Sequence, residues 1–88
     1  MTRDEVLAGI AAVAAEHLGL ATAPAPEQRL VEDLGLDSLR LLTLAAEVEN
    51  RFQVALDPAD EAGIVTVGDL ADALLSALAR AAGSRDGC

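Results

Sequence analysis

The chain has 88 residues, of which 15 are acidic and 6 basic, so its formal net charge is −9. This length suffices for a single domain with one core. Binding to DNA or RNA and attraction to an anionic membrane surface both need clustered lysines and arginines, and the charge balance excludes them. The acidic charge balance instead indicates protein partners with basic patches, which a strongly acidic surface attracts over a distance.

Hydrophobic residues make up 52% of the chain, but there is one phenylalanine and neither tyrosine nor tryptophan. A core of Leu, Val, Ile and Ala suits helices that approach closely and is poor material for an aromatic-lined substrate pocket. No apolar run reaches the roughly 20 residues of a membrane span, and the first residues lack the plan of a signal peptide. The single cysteine, Cys88, cannot form an internal disulfide, so we expect a free thiol and a cytoplasmic protein.

The first helix is predicted by a capping box, in which Thr2 accepts from the backbone and Glu5 reaches back. Apolar residues then recur with a helical period until Gly19: Val6, Leu7, Ile10, Val13 and Ala14. These features predict an amphipathic helix that begins after Thr2.

A long connection follows over residues 19–36, and loops of this length inside a compact domain are usually functional. Leu30, Val31 and Leu34 are expected to pin the loop to the core. Gly35 supplies a turn just before the next helix.

The second helix is predicted over residues 38–52, with Asp37 as its N-cap. At about 100° per residue, one face carries the core stripe: Leu41, Leu44, Ala45, Val48 and Phe52. Leu39, Leu42 and Ala46 fall on a different side of the same helix. Because a surface helix needs only one apolar face, this second stripe is either additional buried surface or an exposed docking strip.

After the second helix, Leu56 is expected to pack inward before Asp57 and Pro58 open a short helical segment. Thr66 then caps a last helix, whose buried side comprises Val67, Leu70, Ala71, Leu74 and Leu78. Three main helices, one short helix and a long first loop predict an all-α fold, a small four-helix bundle.

The C-terminal residues 83–88 are predicted to form a flexible tail, because small and polar residues dominate there. The folded domain is therefore expected to comprise residues 1–82.

Ser38 lies at the start of the second helix, where a catalytic serine would need a nearby base. The one histidine, His17, ends the first helix, and the chain has no lysine, so no catalytic activity is predicted. His17 is interpreted as a structural or solvent-facing residue. Acidic residues such as Asp33 and Asp57 are scattered without the spacing of a metal site, and no metal is predicted.

Two interpretations of Ser38 follow from the residues alone. A serine at a helix start is often only a cap. Free N–H groups and the positive end of the helix dipole also make this position a suitable seat for a phosphate ester.

Residues 34–39, Leu-Gly-Leu-Asp-Ser-Leu, resemble the Asp-Ser-Leu motif of acyl carrier proteins. Glu32-Asp33 precede it as in that family. Residues 48–52, Val-Glu-Asn-Arg-Phe, are similar to the family's Leu-Glu-x-x-Phe, and residues 66–70, Thr-Val-Gly-Asp-Leu, to its Thr-Val-x-Asp-Leu. The resemblance extends from the first helix to about Leu78.

This resemblance implies that Ser38 receives 4′-phosphopantetheine from coenzyme A, with Asp37 and Leu39 flanking the attachment point. The arm would end in a thiol that holds an acyl group as a thioester, so Cys88 is not needed. The implied partners of this monomeric carrier are a phosphopantetheinyl transferase and an acyltransferase, ketosynthase or adenylating ligase with basic docking patches.

The resemblance also assigns the second stripe of the second helix to partner docking. The implied docking residues are Leu39, Leu42, Ala46, Glu47, Glu49 and Ile64. Carboxylates around the strip, those of Asp37, Glu47 and Glu49, would meet arginines and lysines of the partners, and Ile64 would lie near the arm.

Some positions depart from the family pattern. Arg40 and Arg51 bring positive charge to the second helix, and Thr43 stands where a glutamate is frequent in fatty-acid carriers. Together with the lysine-free composition, these departures favour a discrete, free-standing carrier of polyketide or mixed polyketide–peptide biosynthesis. A peptidyl or aminoacyl carrier loaded by an adenylating enzyme, and a non-catalytic helical interaction module, remain as alternatives.

Overall fold

The computed structural model describes residues 2–20 and 22–86, and within these residues the chain forms four helices. They are α1 (Arg3–His17), α2 (Ser38–Phe52), α3 (Pro58–Ala62) and α4 (Val67–Asp86). The only extended pairing in the described part of the chain is an isolated antiparallel bridge between Arg29 and Thr66. The all-α fold class and the small helical bundle are confirmed.

The first helix begins as its sequence predicts. The Glu5 backbone N–H donates to the Thr2 hydroxyl (3.2 Å), and the Thr2 N–H donates to Glu5 Oε1 (3.3 Å). α1 packs against both α2 and α4. Gly9 permits the close approach of α1 to α2, because a Cβ at this position would overlap the Phe52 ring.

The core is aliphatic and draws on every long helix and on the loops. The buried hydrophobic side chains are Val6, Ile10, Val13, Ala14, Leu30, Leu36, Leu44, Val48, Leu56, Val67, Leu70, Ala71, Leu74 and Ala77. In α2 the buried members are Leu44 and Val48, with Leu41 and Phe52 packed partly against them. Thus α2 turns one stripe inward, as predicted, and leaves its second stripe outside.

The first loop is held across the start of α4 by backbone hydrogen bonds. The Leu30 N–H donates to the Val65 carbonyl (2.9 Å) and the Val67 N–H to the Gln28 carbonyl (3.0 Å). The Gly68 N–H donates to the Pro26 carbonyl (2.8 Å), in a contact so close that a Cβ on Gly68 would crowd that oxygen. This pairing fixes the path of the loop toward α2.

One anchor predicted for the first loop is wrong. Leu30 is buried and Leu34 packs partly on the core, but Val31 is 55% exposed. Leu36 takes its place and is buried. The turn that follows the backbone pairing at Leu30 directs Val31 outward and Leu36 inward.

The last helix is longer than its sequence indicates. α4 continues to Asp86, so residues 83–86, which were expected in a flexible tail, are helical, and Gly87 and Cys88 lie outside the described residues. Arg80 of α4 binds α3, with its Nη2 at 2.8 Å from Asp60 Oδ2 and 3.7 Å from Asp57 Oδ2. No helix in the described part of the chain is long and apolar enough to cross a membrane.

The start of α4 depends on the Asp69 carboxylate. Asp69 Oδ2 accepts from the Thr66 and Val65 backbone N–H groups, each at 3.0 Å, and the Asp69 N–H donates to the Thr66 hydroxyl at 3.0 Å. The backbone N–H of Thr66, followed by that of Val65, lowers the pKa of Asp69 below its ordinary value of 3.8. Both donors belong to the segment that pairs with the first loop.

We predict that Asp69→Asn lowers stability at neutral pH and that its effect fades in acid. Because the folded-state pKa is depressed, the stabilisation is complete above the unfolded value of 3.8 and is lost as the pH falls through the folded value. Urea unfolding of both proteins at pH 7 and at several values below 3.8 measures this. A difference between the two proteins that stays constant across this range would contradict the assignment.

Candidate functional site

Asp37 caps α2 and thereby leaves Ser38 without that task. Asp37 Oδ1 accepts from the Arg40 backbone N–H (2.8 Å), and the Asp37 carbonyl accepts from the Leu41 N–H (2.9 Å). Ser38 is the first residue of the helix, and its side chain is exposed. The interpretation of Ser38 as a mere cap is therefore wrong, because its neighbour fills that role.

The position of Ser38 is set by the two residues before Asp37. Gly35 adopts a left-handed conformation (φ 69°), which residues with a Cβ adopt at a cost. Leu36 is 2% exposed, and its N–H donates to the Leu30 carbonyl (3.1 Å). With Leu36 anchored inside, the chain emerges at Asp37 and presents the Ser38 hydroxyl to solvent.

The first turn of α2 also offers donors to an anion. The first N–H groups of any helix lack partners within the helix, and the Asp37 carboxylate satisfies that of Arg40. The N–H groups of Ser38 and Leu39 have no acceptor within the described residues. A phosphate ester on Ser38 therefore fits this end of the helix, where the dipole favours negative charge.

A cavity of about 370 Å³ has Ser38 in its wall. Its lining is drawn from α2, α3, α4 and the three loops: Leu30, Ser38, Leu41, Leu42, Leu44, Ala45, Leu56, Glu61, Ile64 and Leu70. Ile64, which was expected near the attachment point, thus lies at the same cavity as Ser38. Glu61 is the one charged residue of the lining.

Sequence reasoning did not identify Glu61 as part of the site. Asp57 and Pro58 indicate a short helix, but Pro58–Ala62 is too short for the periodic pattern that shows which side of a longer helix faces the core.

Leu41 and Ala45, which the helical pattern places in the core stripe of α2, line the cavity. Part of that stripe therefore borders open space.

The second apolar stripe of α2 is exposed. Leu39 is 72% and Leu42 is 69% exposed, and Ala46 lies beside them on the surface. Of the two possibilities that the helical pattern left open, the structure excludes additional burial. We call Leu39, Leu42 and Ala46 the apolar strip.

The two glutamates of α2 point to partners inside the protein. Glu49 Oε2 accepts from the Leu56 backbone N–H at 2.7 Å. Glu47 Oε1 lies 3.5 Å from His17 Nε2, at the end of α1. The sequence could not reveal these contacts, because Leu56 and His17 reach α2 through the tertiary fold.

Ser38 has no base within reach in the described part of the chain. His17 contacts Glu47, which lies two and a half turns along α2 from Ser38, a rise of about 14 Å. Among the described residues, no group of three or more His, Cys, Asp or Glu side chains could hold a metal ion. The arrangement can present a hydroxyl to another protein, and the base for any reaction of Ser38 would have to come from that protein.

Residues 8–74 match the family model described as "Phosphopantetheine attachment site". Among curated proteins, the chain is 37% identical over 71 residues to a meromycolate extension acyl carrier protein of Mycobacterium leprae, which covers 80% of this chain. The chain spans only 62% of the length of that relative. An acyl carrier protein of Thermotoga maritima is 37% identical over 70 residues, covering 78% of this chain and 86% of its own.

A solved structure has the same fold. It is the solution structure of the acetyl actinorhodin acyl carrier protein from Streptomyces coelicolor, with a TM-score of 0.63 and 30% sequence identity. The similarity covers 92% of this chain and 94% of that one.

We predict that Leu42→Asp leaves the fold intact, whereas Leu44→Asp, two residues away, does not. An aspartate at the exposed position 42 remains hydrated, and surface substitutions usually change stability by within about 0.5 kcal/mol. Leu44 is 3% exposed, so an aspartate there would be an unpaired buried charge. Circular dichroism during thermal unfolding compares the two variants, and loss of structure in Leu42→Asp would place the apolar strip in the core.

Proposed function

Because the chain belongs to the acyl carrier protein family, whose prosthetic group is 4′-phosphopantetheine, we propose that Ser38 is the residue that carries this group. The exposed hydroxyl at the first position of α2, next to a residue that already caps the helix, is the observation that supports this assignment. The attached arm supplies a thiol, which holds an acyl group as a thioester. The protein is a carrier and has no catalytic activity of its own.

Ser38 and its two neighbours would each have a separate role in the attachment of the phosphopantetheine group. When a phosphopantetheinyl transferase delivers the group from coenzyme A, Ser38 Oγ would lose its proton and form the bond to the phosphorus. The pyrophosphate bond of coenzyme A would break at the same phosphorus, and adenosine 3′,5′-bisphosphate would leave. The transferase would supply the base, because His17 contacts Glu47, which lies far along α2 from Ser38. The free N–H groups of Ser38 and Leu39 stabilise the added negative charge, and Asp37 holds the helix start in place.

The partners that follow from this function are a phosphopantetheinyl transferase and the enzymes that load, extend or remove the acyl group. An acyltransferase, a ketosynthase or an adenylating ligase would each have to reach the arm. The apolar strip and Ile64 lie close to Ser38 along α2 and around the cavity, which supports their role in docking. We place this activity in the cytoplasm, where a free cysteine stays reduced.

We assign the pathway to polyketide or related secondary-metabolite biosynthesis. The similarity to the carrier of actinorhodin, a polyketide, supports this over fatty acid biosynthesis. So do Arg40, Thr43 and Arg51, which depart from the acidic surface of fatty-acid carriers. The meromycolate relatives instead favour the extension of long acyl chains, and they make that pathway the principal competitor.

The lining of the cavity favours an acyl over an aminoacyl cargo. Eight of its ten residues are aliphatic, and burying an ammonium group among them would be costly. Glu61 is the one feature that would attract an aminoacyl group. Because of Glu61, a peptidyl or aminoacyl carrier remains the alternative to an acyl carrier.

We predict that Ser38→Ala folds as the parent does but cannot be modified. The cap of α2 belongs to Asp37, so loss of the Ser38 hydroxyl should cost less than about 1 kcal/mol. Incubation with coenzyme A and a broad-specificity transferase should add one phosphopantetheine mass to the parent and none to Ser38→Ala. Ser76→Ala, which removes an exposed serine of α4, is the matched control and should be modified normally.

Gain of the phosphopantetheine mass by Ser38→Ala would show that the attachment point is elsewhere. Failure of the parent chain to gain it would favour the non-catalytic interaction module.

We predict that the modified protein accepts acyl groups in preference to aminoacyl groups. Parallel loading assays with malonyl or acetyl donors and with an adenylating enzyme and its amino acid measure this by intact mass. Exclusive aminoacyl loading would reverse the assignment of the cargo, and Glu61→Gln would then be expected to weaken it.

A further inference from the structure

The cavity beside Ser38 keeps one polar side chain in its wall once Ser38 is esterified. Eight of its ten lining residues are aliphatic, and the other two are Ser38 and Glu61. In the proposed function the oxygen of Ser38 is committed to the phosphate ester. A group carried on the arm therefore meets an aliphatic surface whose remaining polar side chain is Glu61.

Glu61 lies on α3, and α4 holds this short helix in place. α3 buries none of its residues and packs, among the helices, on α4 alone. Arg80 Nη2 of α4 lies 2.8 Å from Asp60 Oδ2, and the Glu61 N–H donates to the Asp57 carbonyl (3.0 Å). These contacts fix the backbone of Glu61 at the cavity.

The other carboxylates of this segment already have partners. Asp60 Oδ2 accepts from the Asp57 N–H (3.3 Å) as well as from Arg80, and Asp57 Oδ2 lies 3.7 Å from Arg80 Nη2. The Glu61 carboxylate has no hydrogen bond or ion pair within the described residues. Its oxygens are therefore available to water or to a group in the cavity.

A carboxylate in an aliphatic wall discriminates between cargoes. A saturated chain packed beside Glu61 would remove water from the carboxylate oxygens without supplying a donor, which is costly. A hydroxyl on the chain would replace that water by donating a hydrogen bond. An ammonium group would lose its own hydration among the aliphatic residues, and a second carboxylate would face a like charge.

We propose that Glu61 is a specificity-determining residue, which makes the cavity prefer hydroxylated acyl groups to saturated acyl groups of the same length. This inference deepens the proposed carrier function and rests on it, because the arm on Ser38 brings the cargo to the cavity. The residue Glu61 as a whole is exposed, so water competes with the cargo for its oxygens. The preference is therefore modest, of the size that one hydrogen bond provides.

A comparison of cargoes that differ only in their polar group tests the proposal. The parent, Glu61→Leu and Glu27→Leu are loaded by a broad-specificity transferase with hexanoyl, 3-hydroxyhexanoyl, 5-hydroxyhexanoyl or 6-aminohexanoyl arms, each joined through an amide that survives heating. Glu27→Leu is the matched control, since Glu27 is an exposed loop residue outside the lining. Thermal unfolding measures the stabilisation, because a group that enters the cavity binds only the folded state.

Selective methyl labelling of isoleucine shows whether a cargo enters the cavity. The chain has two isoleucines, Ile10 and Ile64. Ile64 lines the cavity, whereas Ile10 is 1% exposed and lies in the core outside the lining. Entry of a cargo should shift the NMR signal of the Ile64 methyl group and leave that of Ile10 in place.

The proposal predicts an order of cargoes that depends on Glu61. In the parent, the better of the two hydroxylated cargoes should raise the Tm by at least about 2 °C more than hexanoyl does. In Glu61→Leu this order should reverse, because leucine completes the aliphatic lining. Glu27→Leu should keep the order of the parent, and 6-aminohexanoyl should stabilise the parent less than the hydroxylated cargoes do.

Several results would overturn the inference. An Ile64 signal that responds to neither hydroxylated cargo would show that such groups stay outside the cavity. Equal stabilisation of the parent by hexanoyl and the hydroxylated cargoes, or a hydroxyl preference that survives in Glu61→Leu, would remove Glu61 from the selection. Greater stabilisation by 6-aminohexanoyl would replace the hydroxylated class by an aminoacyl one. Failure of the carrier function is recognised beforehand, because the parent would then gain no mass from any arm.

Discussion

The backbone pairing between the first loop and the segment before α4 is the constraint on which the site depends. Three hydrogen bonds, at Pro26, Gln28 and Leu30, fasten an otherwise irregular chain to Val65, Val67 and Gly68. The Asp69 carboxylate holds the other side of this pairing by binding the N–H groups of Val65 and Thr66. Because the loop is fixed at Leu30, Leu36 enters the core, and α2 begins at one defined place with Ser38 outside.

The backbone pairing also fixes which stripe of α2 faces the core and which faces solvent. Its inner stripe, centred on Leu44 and Val48, closes the core, while its outer stripe remains at the surface. A helix needs only the first of these for stability. The exposed Leu39 and Leu42 lower solubility and add nothing to the core, and the proposed contact with a partner enzyme would explain their exposure.

Much of the fold could be predicted because it depends on local contacts. The Thr2–Glu5 capping box, the Asp37 cap and the bounds of α2 involve residues three or four positions apart, and the structure confirms them. Val31 and Leu36 could not be assigned correctly, since their orientation depends on pairing with residues more than 25 positions away. The contact of Glu47 with His17, 30 positions away, was hidden for the same reason, whereas that of Glu49 with the Leu56 N–H depends on the path of the chain after α2. Neither the cavity nor the role of Glu61 in its wall follows from any periodic pattern.

The central claim, that Ser38 is the tether of the prosthetic group, is tested most directly on the wild-type protein isolated from cells that also contain its native enzymes. Fragmentation mass spectrometry of the peptide that spans residues 30–40 locates any added group on a single side chain. The account predicts 4′-phosphopantetheine, with or without an acyl cargo, on the oxygen of Ser38. An unmodified Ser38 in a protein that carries the group on another residue would contradict it.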